Sequence, residues 1–151
     1  LWGCGSDTEL MEAKTLRKYD SKSVSDLIKI ATRHFNKFIR NRDSNEGCFK
    51  CISCSKVKPN EKLQAGHFRS AGHYPSVRFN EKNVHGQCKR CNLFLSGNLA
   101  DYAKNLTAKI GTEGMQEIED LVGRSKQLGF KWDRISLIET IEKYKKLNKE
   151  L

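Results

Sequence analysis

Apolar residues recur along this chain in four helix-like stripes and two short alternations, separated by polar stretches rich in Gly, Pro, Asn and Asp. Val24, Leu27, Ile28, Ala31, Phe35, Phe38 and Ile39 return at three- and four-residue intervals, which predicts a helix from near Ser23 or Ser25 to about Asn41. Leu63 to Phe68 predicts a short strand, and Ser76 to Asn80 a second, because Val77 and Phe79 alternate with Arg78. Between them Arg69 to Pro75 carries Gly72 and Pro75, the marks of an irregular exposed loop. Asp43 to Gly47 reads as a turn and Lys56 to Lys62 as a loop. A short helix is expected to start at Cys88 and to carry Cys91, Asn92 and Phe94 before Ser96-Gly97-Asn98 interrupts it. Leu99, Tyr102, Ala103, Leu106 and Ile110 then form a stripe stopped by Gly111. Met115, Ile118, Leu121 and Val122 form another, ending near Gly123. Ile135, Ile138, Ile141, Tyr144, Leu147 and Leu151 mark a last helix, whereas residues 1 to about 20 show little periodicity and Trp2 to Gly5 read as loop. The expected fold is α+β, mostly helical around a small core, divided into an N-terminal segment 1–22, a basic helix 23–47, a core 48–111 and a helical region 112–151.

Composition points to a particular kind of partner. Of 151 residues, 28 are Lys or Arg and 18 are Asp or Glu, giving a formal net charge of +10. That balance favours a polyanion, nucleic acid above all, although an anionic membrane surface would also fit charge alone. On the predicted first helix, Lys29, Arg33, Lys37 and Arg40 form a solvated face, a set of phosphate contacts, or both. Hydrophobic residues make up 37% and charged residues 30%, so the core is expected to be modest and to lean on a bound metal. No stretch approaches the roughly 20 apolar residues that cross a bilayer, and no signal peptide is visible. A soluble, cytoplasmic protein with no membrane partner is expected. Leu1 in place of an initiating Met predicts a processed product or a fragment of something longer.

The metal has an evident place. Cys51-Ile52-Ser53-Cys54 and Cys88-Lys89-Arg90-Cys91 are two Cys-x-x-Cys pairs, and four such thiolates can surround one structural zinc tetrahedrally. A disulfide scaffold is the weaker reading of the cysteines. Cys48 repeats the same spacing toward Cys51, but Ser53 and the polar Ser55-Lys56 continuation favour Cys51 and Cys54. Cys48 is then expected as a buried thiol or one just outside the ligand set, and Cys4 as free or left over from a motif cut off upstream.

Between the pairs lie His67, His73, Asn83 and His85, and Asn92 follows directly after the second pair. Phosphodiester hydrolysis needs an in-line water, neutralisation of the charge building on phosphate, and stabilisation of the departing oxygen. A neutral imidazole can take the proton, and a divalent cation can serve the other two needs. His67, at the expected end of a strand, is the best base: bonding one ring nitrogen to a carbonyl or amide leaves the other free. Asn92 offers a hard amide oxygen to Mg²⁺ or Mn²⁺. Asn83 more naturally bonds to backbone and holds the loop bearing His67. His85 is divided between a structural role and a cation or phosphate contact. His73 lies in the loop, where it could touch DNA or the cation, and His34 is expected at the surface or in packing. A zinc-stabilised DNA-binding module without catalysis would account for the cysteines and the charge, yet would not require His67, Asn83 and Asn92 in that order.

Ala65-Gly66-His67-Phe68, the run from Arg78 to His85, Gln87-Cys88-Lys89-Arg90-Cys91-Asn92 and Ser96-Gly97-Asn98-Leu99 together resemble the zinc-bearing HNH, or ββα-metal, nucleases. More closely, they resemble the phage NinG/Rap family of DNA-junction and recombination endonucleases, over roughly residues 24–125 and most strongly over 48–111. The resemblance implies an HNH-like core and a metal-dependent endonuclease that cuts branched DNA, such as Holliday junctions and D-loops, in a bacterial host cell. It gives His67 the base role, Asn83 that of the middle asparagine and Asn92 the last cation-binding position. One departure matters. Many nucleases of this class place an Asp directly before the first histidine as a cation ligand, and here that position is Gly66, so the cation would be held with fewer protein ligands or by another group, such as His85, His73 or Glu81. Several duplex arms would need separate basic surfaces, for which the first helix, Arg69, Arg78, Lys89, Arg90 and the Lys143-Lys145-Lys146-Lys149 end are candidates. The apolar stripe of the last helix would pack on the chain's own core or on a second copy. A homodimer is expected, since two sites are needed on opposing strands of a symmetric junction.

Overall fold

The computed structural model describes residues 7–151, so Cys4 and the loop expected at Trp2 to Gly5 lie outside the described residues. Four helices and two small antiparallel sheets follow in the order α1 (Asp7–Arg17), α2 (Val24–Asp43), β1 (Ser44–Asn45), β2 (Cys48–Lys50), β3 (Val57–Pro59), β4 (Leu63–His67), β5 (Val84–Cys88), α3 (Leu99–Leu128) and α4 (Arg134–Glu150). The fold is α+β and mostly helical, with the strands gathered beside the four cysteines.

The basic helix starts where a polar cap allows it. The Ser23 hydroxyl accepts from the Asp26 N–H at 3.1 Å while the Asp26 carboxylate accepts from the Ser23 N–H at 3.1 Å, satisfying two N-terminal donors reciprocally. Its stripe of Leu27, Ala31, Phe35 and Ile39 is fully buried. Leu27 and Ala31 meet Leu137, Ile138 and Ile141 of α4, while Phe35 and Ile39 meet Val84 and Tyr144. Each large side chain removed from water in this way contributes about 1.5–3 kcal/mol. The partner that the last helix needs is therefore α2 of the same chain, and its stripe gives no separate argument for a second copy. Among the described residues, no helix is long and apolar enough to cross a membrane.

The core strands differ from the sequence expectation in an instructive way. The partner of β4 is Val84–Cys88 and not Ser76–Asn80. All five residues of β5 are buried, so both faces are covered and the polar-apolar alternation that betrays a half-exposed strand is absent. Ser76 and Val77 belong instead to a short 3-10 turn opened by Pro75. Val77 and Phe79 go to different clusters, Val77 against Tyr102 and Leu106 of α3, Phe79 against Phe35.

Other elements depart from expectation through their shortness. The 43–47 turn and 56–62 loop hold β1 and β3, which with β2 between them are strands of two or three residues that carry no readable period. The expected helix at the second cysteine pair is one wide π turn, Arg90–Phe94. Ser96, Gly97 and Asn98 then take φ values of 49°, 90° and 44°, three consecutive left-handed residues that end it. A first helix, α1, forms where little periodicity is visible; its Glu, Leu, Met, Ala and Lys content favours helix without a clean stripe. Gly111, at φ 73° and ψ 174°, bends α3 where the sequence places a break. The second arm continues past Gly123 to Leu128 before Gly129, at φ 58°, caps it. The bend lets Tyr102 and Leu106 of one arm share a buried cluster with Ile118 and Val122 of the other, under Phe68 and Val77.

Candidate active site and metal centre

The four cysteines of the two pairs converge. Their sulfurs all lie within 4.8 Å of one another, with Cys54 and Cys88 4.0 Å apart. Four thiolates each about 2.3 Å from a tetrahedral metal sit roughly 3.8 Å apart, so the set fits a metal with little adjustment. Each pair closes its own turn. The Ser55 N–H donates to the Cys51 carbonyl at 2.9 Å, and the Gly97 N–H to the Cys91 carbonyl at 2.8 Å. Backbone and amide donors reach the sulfurs themselves: Cys88 N–H to Cys51 Sγ at 3.3 Å and Asn98 Nδ2 to Cys91 Sγ at 3.6 Å. Burial raises the Cys51 thiol above its usual range and pushes Cys91 up to about 12, whereas hydrogen bonds from the neighbouring cysteines outweigh burial at Cys88 and lower it, so one thiol of the set is predisposed to be a thiolate and a cation would favour that form in the others. Cys48 is exposed on β2 rather than buried, because its side chain points away from the cluster that Phe49 joins.

His67 ends β4 and lines a cavity of about 260 Å³ together with Asn92 and Arg69. Its Nε2 lies 2.9 Å from the Arg78 carbonyl oxygen and therefore donates, which leaves Nδ1 as the acceptor. Burial lowers its pKa below the ordinary histidine value, so the ring is neutral at pH 7. Asn92, on the π turn, donates its amide to the Gln64 side chain at 2.8 Å. Its Oδ1 accepts no hydrogen bond among the described residues.

Asn83 stands behind this cavity, fully buried. Its Nδ2 donates to the carbonyls of Arg69 at 3.0 Å and Val77 at 3.1 Å, and its Oδ1 accepts from the Arg69 N–H at 2.8 Å. The Asn83 carbonyl also receives the Phe68 N–H at 2.9 Å. One asparagine thus clamps both ends of the loop that leaves His67.

His85 is brought elsewhere. In the β4–β5 register Gly66 faces His85 and His67 faces Val84, so the two histidines project from opposite sides of the hairpin. His85 Nε2 donates to the Lys82 carbonyl at 3.0 Å, and Nδ1 accepts from Arg42 at 3.1 Å. Burial and the neighbouring Arg42 lower its pKa to about 4. Both nitrogens of His85 are thus engaged and a guanidinium lies against the ring, so this arrangement offers no free lone pair of His85 to a cation. His73 is exposed, 3.1 Å from the Ser70 hydroxyl, and is not among the residues lining the cavity. Glu81 is likewise committed, accepting from the Tyr144 hydroxyl at 2.8 Å.

The glycine before His67 has a steric cause. A Cβ at Gly66 would stand 2.0 Å from Gln87 Oε1 and 2.8 Å from Gln87 Cβ. The Gln87 amide fills that space, donating from Nε2 to Ser53 Oγ at 2.8 Å and to the Gly97 carbonyl at 2.5 Å. An aspartate cannot occupy position 66 beside it.

The expected basic contacts divide. Lys29, Arg33 and Lys37 are exposed along one face of α2 and Arg40 is half-buried, while Lys89 and Arg90 are exposed at the second cysteine pair. Arg69 lines the cavity, paired with Glu119 at 2.7 Å. Arg78 is half-buried with its guanidinium 3.4 Å from the Ala71 carbonyl, where it braces the loop. A basic groove of about 550 Å³ between α2 and α4 is lined by Lys18, Lys37, Lys145, Lys146 and Lys149.

Three contributors escape sequence reasoning. Gln64 orients Asn92, and the Tyr102 hydroxyl donates to the Gly66 carbonyl at 2.7 Å. Arg42 ties Asp43, the Glu81 and Val84 carbonyls and His85 into one network. None stands in a motif; only the pairing of β4 with β5, unseen in the pattern, brings them together.

Residues 6–151 match the family described as Bacteriophage Lambda NinG protein. Similar proteins include Protein ninG of Escherichia phage lambda, 42% identical over 104 residues that cover 69% of this chain and 49% of that protein. Protein ninG of Escherichia phage 933W is 41% identical over 104 residues, 69% of this chain and 50% of that protein. That of Salmonella phage P22 is 40% identical over 104 residues, 69% of this chain and 49% of that protein. The chain spans about half the length of these relatives. No solved structure matches.

Proposed function

Because the chain belongs to the bacteriophage lambda NinG family, we propose that it is a metal-dependent, HNH-type endonuclease that hydrolyses phosphodiester bonds in branched DNA, such as Holliday junctions and D-loops, during phage recombination in the host cytoplasm. The observation that carries this reading is the pairing of His67 and Asn92 in one cavity, with His67 Nδ1 left as an acceptor by the bond from Nε2 to Arg78.

In this reading a water takes its place against the phosphate and His67 Nδ1 accepts its proton. The carbonyl of Arg78 holds the ring in the tautomer that makes this possible. Asn83 is a positioning residue, keeping the loop at fixed distance from His67. Asn92 Oδ1 is the group that would hold Mg²⁺ or Mn²⁺, which would supply charge neutralisation on the phosphate and the departing oxygen. With Gly66 in place of a carboxylate, few protein groups would hold that cation, and DNA phosphate would have to supply more of its ligands. Cys51, Cys54, Cys88 and Cys91 would hold a structural zinc, which would fix the turn that carries Asn92.

Lys29 and Arg33 on the exposed face of α2, Lys145, Lys146 and Lys149 on the α4 side of the groove, and the pair Lys89 and Arg90 lie on separate elements, as contacts to separate duplex arms must. A homodimer would set two such sites on opposing strands. The test is cleavage of a synthetic four-way junction and of matched linear duplex under a Mg²⁺ and Mn²⁺ titration. Metal-dependent nicks near the crossover, faster than on duplex, are expected. Equal cutting of duplex would remove the branched substrate, and binding without cutting at any metal concentration would make the chain a zinc-stabilised DNA-binding module.

A further inference from the structure

Leu93, Phe94 and Leu95 follow Asn92 directly and are 55%, 74% and 46% exposed. Leu99, 48% exposed, lines the same cavity as His67 and Asn92 and continues the apolar surface to its rim. Among the described residues no other run of three consecutive large apolar side chains is exposed in this way; Val57 and Ile135 stand singly. A chain with a modest core would gain by burying a phenylalanine, so its presentation to solvent calls for a reason.

The run is also held rigidly. The Leu95 N–H donates to the Arg90 carbonyl at 3.0 Å, the Gly97 N–H to the Cys91 carbonyl at 2.8 Å and the Asn98 N–H to the Leu95 carbonyl at 2.8 Å. Asn98 further bonds the Cys91 sulfur at 3.6 Å. Ser96 and Asn98 accept left-handed backbone, at φ 49° and 44°, which side chains other than glycine seldom adopt. Strain of this kind persists where surroundings enforce it, and here the enforcing element is the cysteine cluster. The cysteine cluster therefore sets the aim of three apolar side chains beside the cavity.

We propose that Leu93, Phe94 and Leu95 form a wedge that enters the branch point of bound DNA, separates the bases stacked across it and packs against the faces so opened. The proposal deepens the endonuclease reading and rests on it for the location of the DNA. Charge selects the occupant. Lys89 and Arg90 precede the wedge, and Lys56, Lys58 and Arg90 line a cavity of about 230 Å³ with Leu95. An apolar tip between cations matches a nucleic acid, whose bases are apolar on their faces and flanked by phosphates. A second copy of the chain across a two-fold axis would bring the same cations against themselves. A continuous duplex resists separation of its stacked bases, whereas a junction breaks the continuity of stacking where strands change partners, so its bases part there at lower cost. The wedge thus gives a physical basis for preferring branched DNA over linear DNA at one and the same catalytic cavity.

The experiment uses 2-aminopurine placed at the crossover of a synthetic four-way junction, with the same base inside a linear duplex as control. Its fluorescence is quenched by stacking and rises when neighbours separate. Measurements on the full chain carrying His67→Ala, without added divalent cation, read unstacking independently of cleavage. A several-fold rise on the junction and none on the duplex is expected. Adding Phe94→Ala should abolish most of that rise while zinc content stays at one per chain, and Phe94→Leu should restore part of it. An undiminished rise with Phe94→Ala overturns the proposal, as does junction binding with no rise, or no junction binding. Sedimentation that changes from dimer to monomer on Phe94→Ala, with fluorescence unchanged, assigns the patch to a second copy and also overturns it. Wild-type protein that cuts no DNA while the fluorescence behaves as expected refutes the nuclease reading and leaves the wedge standing. Intact junction cleavage with no unstacking refutes the wedge alone.

Discussion

His67 Nε2 sits 2.9 Å from the Arg78 carbonyl oxygen, eleven residues on in sequence, at the far side of the loop that Asn83 clamps. A carbonyl can only accept, so this bond determines which nitrogen carries the proton. Nδ1 is left with its lone pair, and burial keeps the ring neutral by lowering its pKa.

Cleavage should therefore rise with pH and reach its plateau before neutrality. Protonated imidazole cannot accept the proton of water, so activity is lost as pH falls through the lowered His67 pKa, below the ordinary value of about 6.5. Single-turnover rates on a junction at saturating cation test this. A rate still climbing between pH 7 and 8 would contradict the neutral, buried base.

Gly66→Ala should destabilise the protein by about 2 kcal/mol or more, since its Cβ would stand 2.0 Å from Gln87 Oε1 and displace an amide that bonds Ser53 and Gly97. Pairing it with Gln87→Gly should cost less than the two changes summed, by about 1 kcal/mol. Urea unfolding of the two single variants and the double variant gives the coupling directly. Additive costs would mean that Gln87 is not what excludes a side chain at position 66.

How far the sequence reveals these relationships depends on whether they are local. The Cys-x-x-Cys pairs, the α2 stripe and the end of β4 at His67 are set by spacing within a few residues, and each is legible. The cap at Ser23 and the break at Gly111 are legible for the same reason. β5 is hidden because all five of its residues are buried and show no alternation. That one omission conceals the opposite facing of His67 and His85, which follows from register alone. It conceals equally the steric reason for Gly66, which lies in a neighbour across the hairpin. The commitments of Arg78 and Glu81 to a carbonyl and a tyrosine are tertiary, and nothing in their local sequence announces them.

His85 should make stability depend on pH below neutrality. Its pKa is lowered in the folded state to about 4, while the unfolded chain binds a proton near 6.5. Its contribution is complete above about 6.5 and is lost as pH falls toward 4, with a slope of at most about 1.4 kcal/mol per pH unit. His85→Gln should lower stability at pH 7 through lost bonds to Arg42 and Lys82, yet flatten the decline between pH 7 and 5. Urea unfolding at both pH values, with zinc content followed in parallel, checks the difference. Identical slopes for the two proteins would contradict a neutral buried His85.

Cys88→Ser should cost the protein its bound zinc and its cooperative unfolding. Structural zinc sites are worth on the order of 10 kcal/mol of apparent binding energy, which exceeds the margin by which a small domain is stable. Zinc per chain and thermal unfolding read this together. Stoichiometric zinc retained by the variant would contradict the four-sulfur set.

The central claim is that His67 is the base, and the most direct test is His67→Ala in single-turnover cleavage of a four-way junction. Junction affinity, zinc content and unfolding are measured on the same preparation. The account predicts a rate lowered by about 10²–10⁴ with the other three unchanged. Cleavage at the wild-type rate by a fully folded, zinc-loaded His67→Ala protein would contradict it.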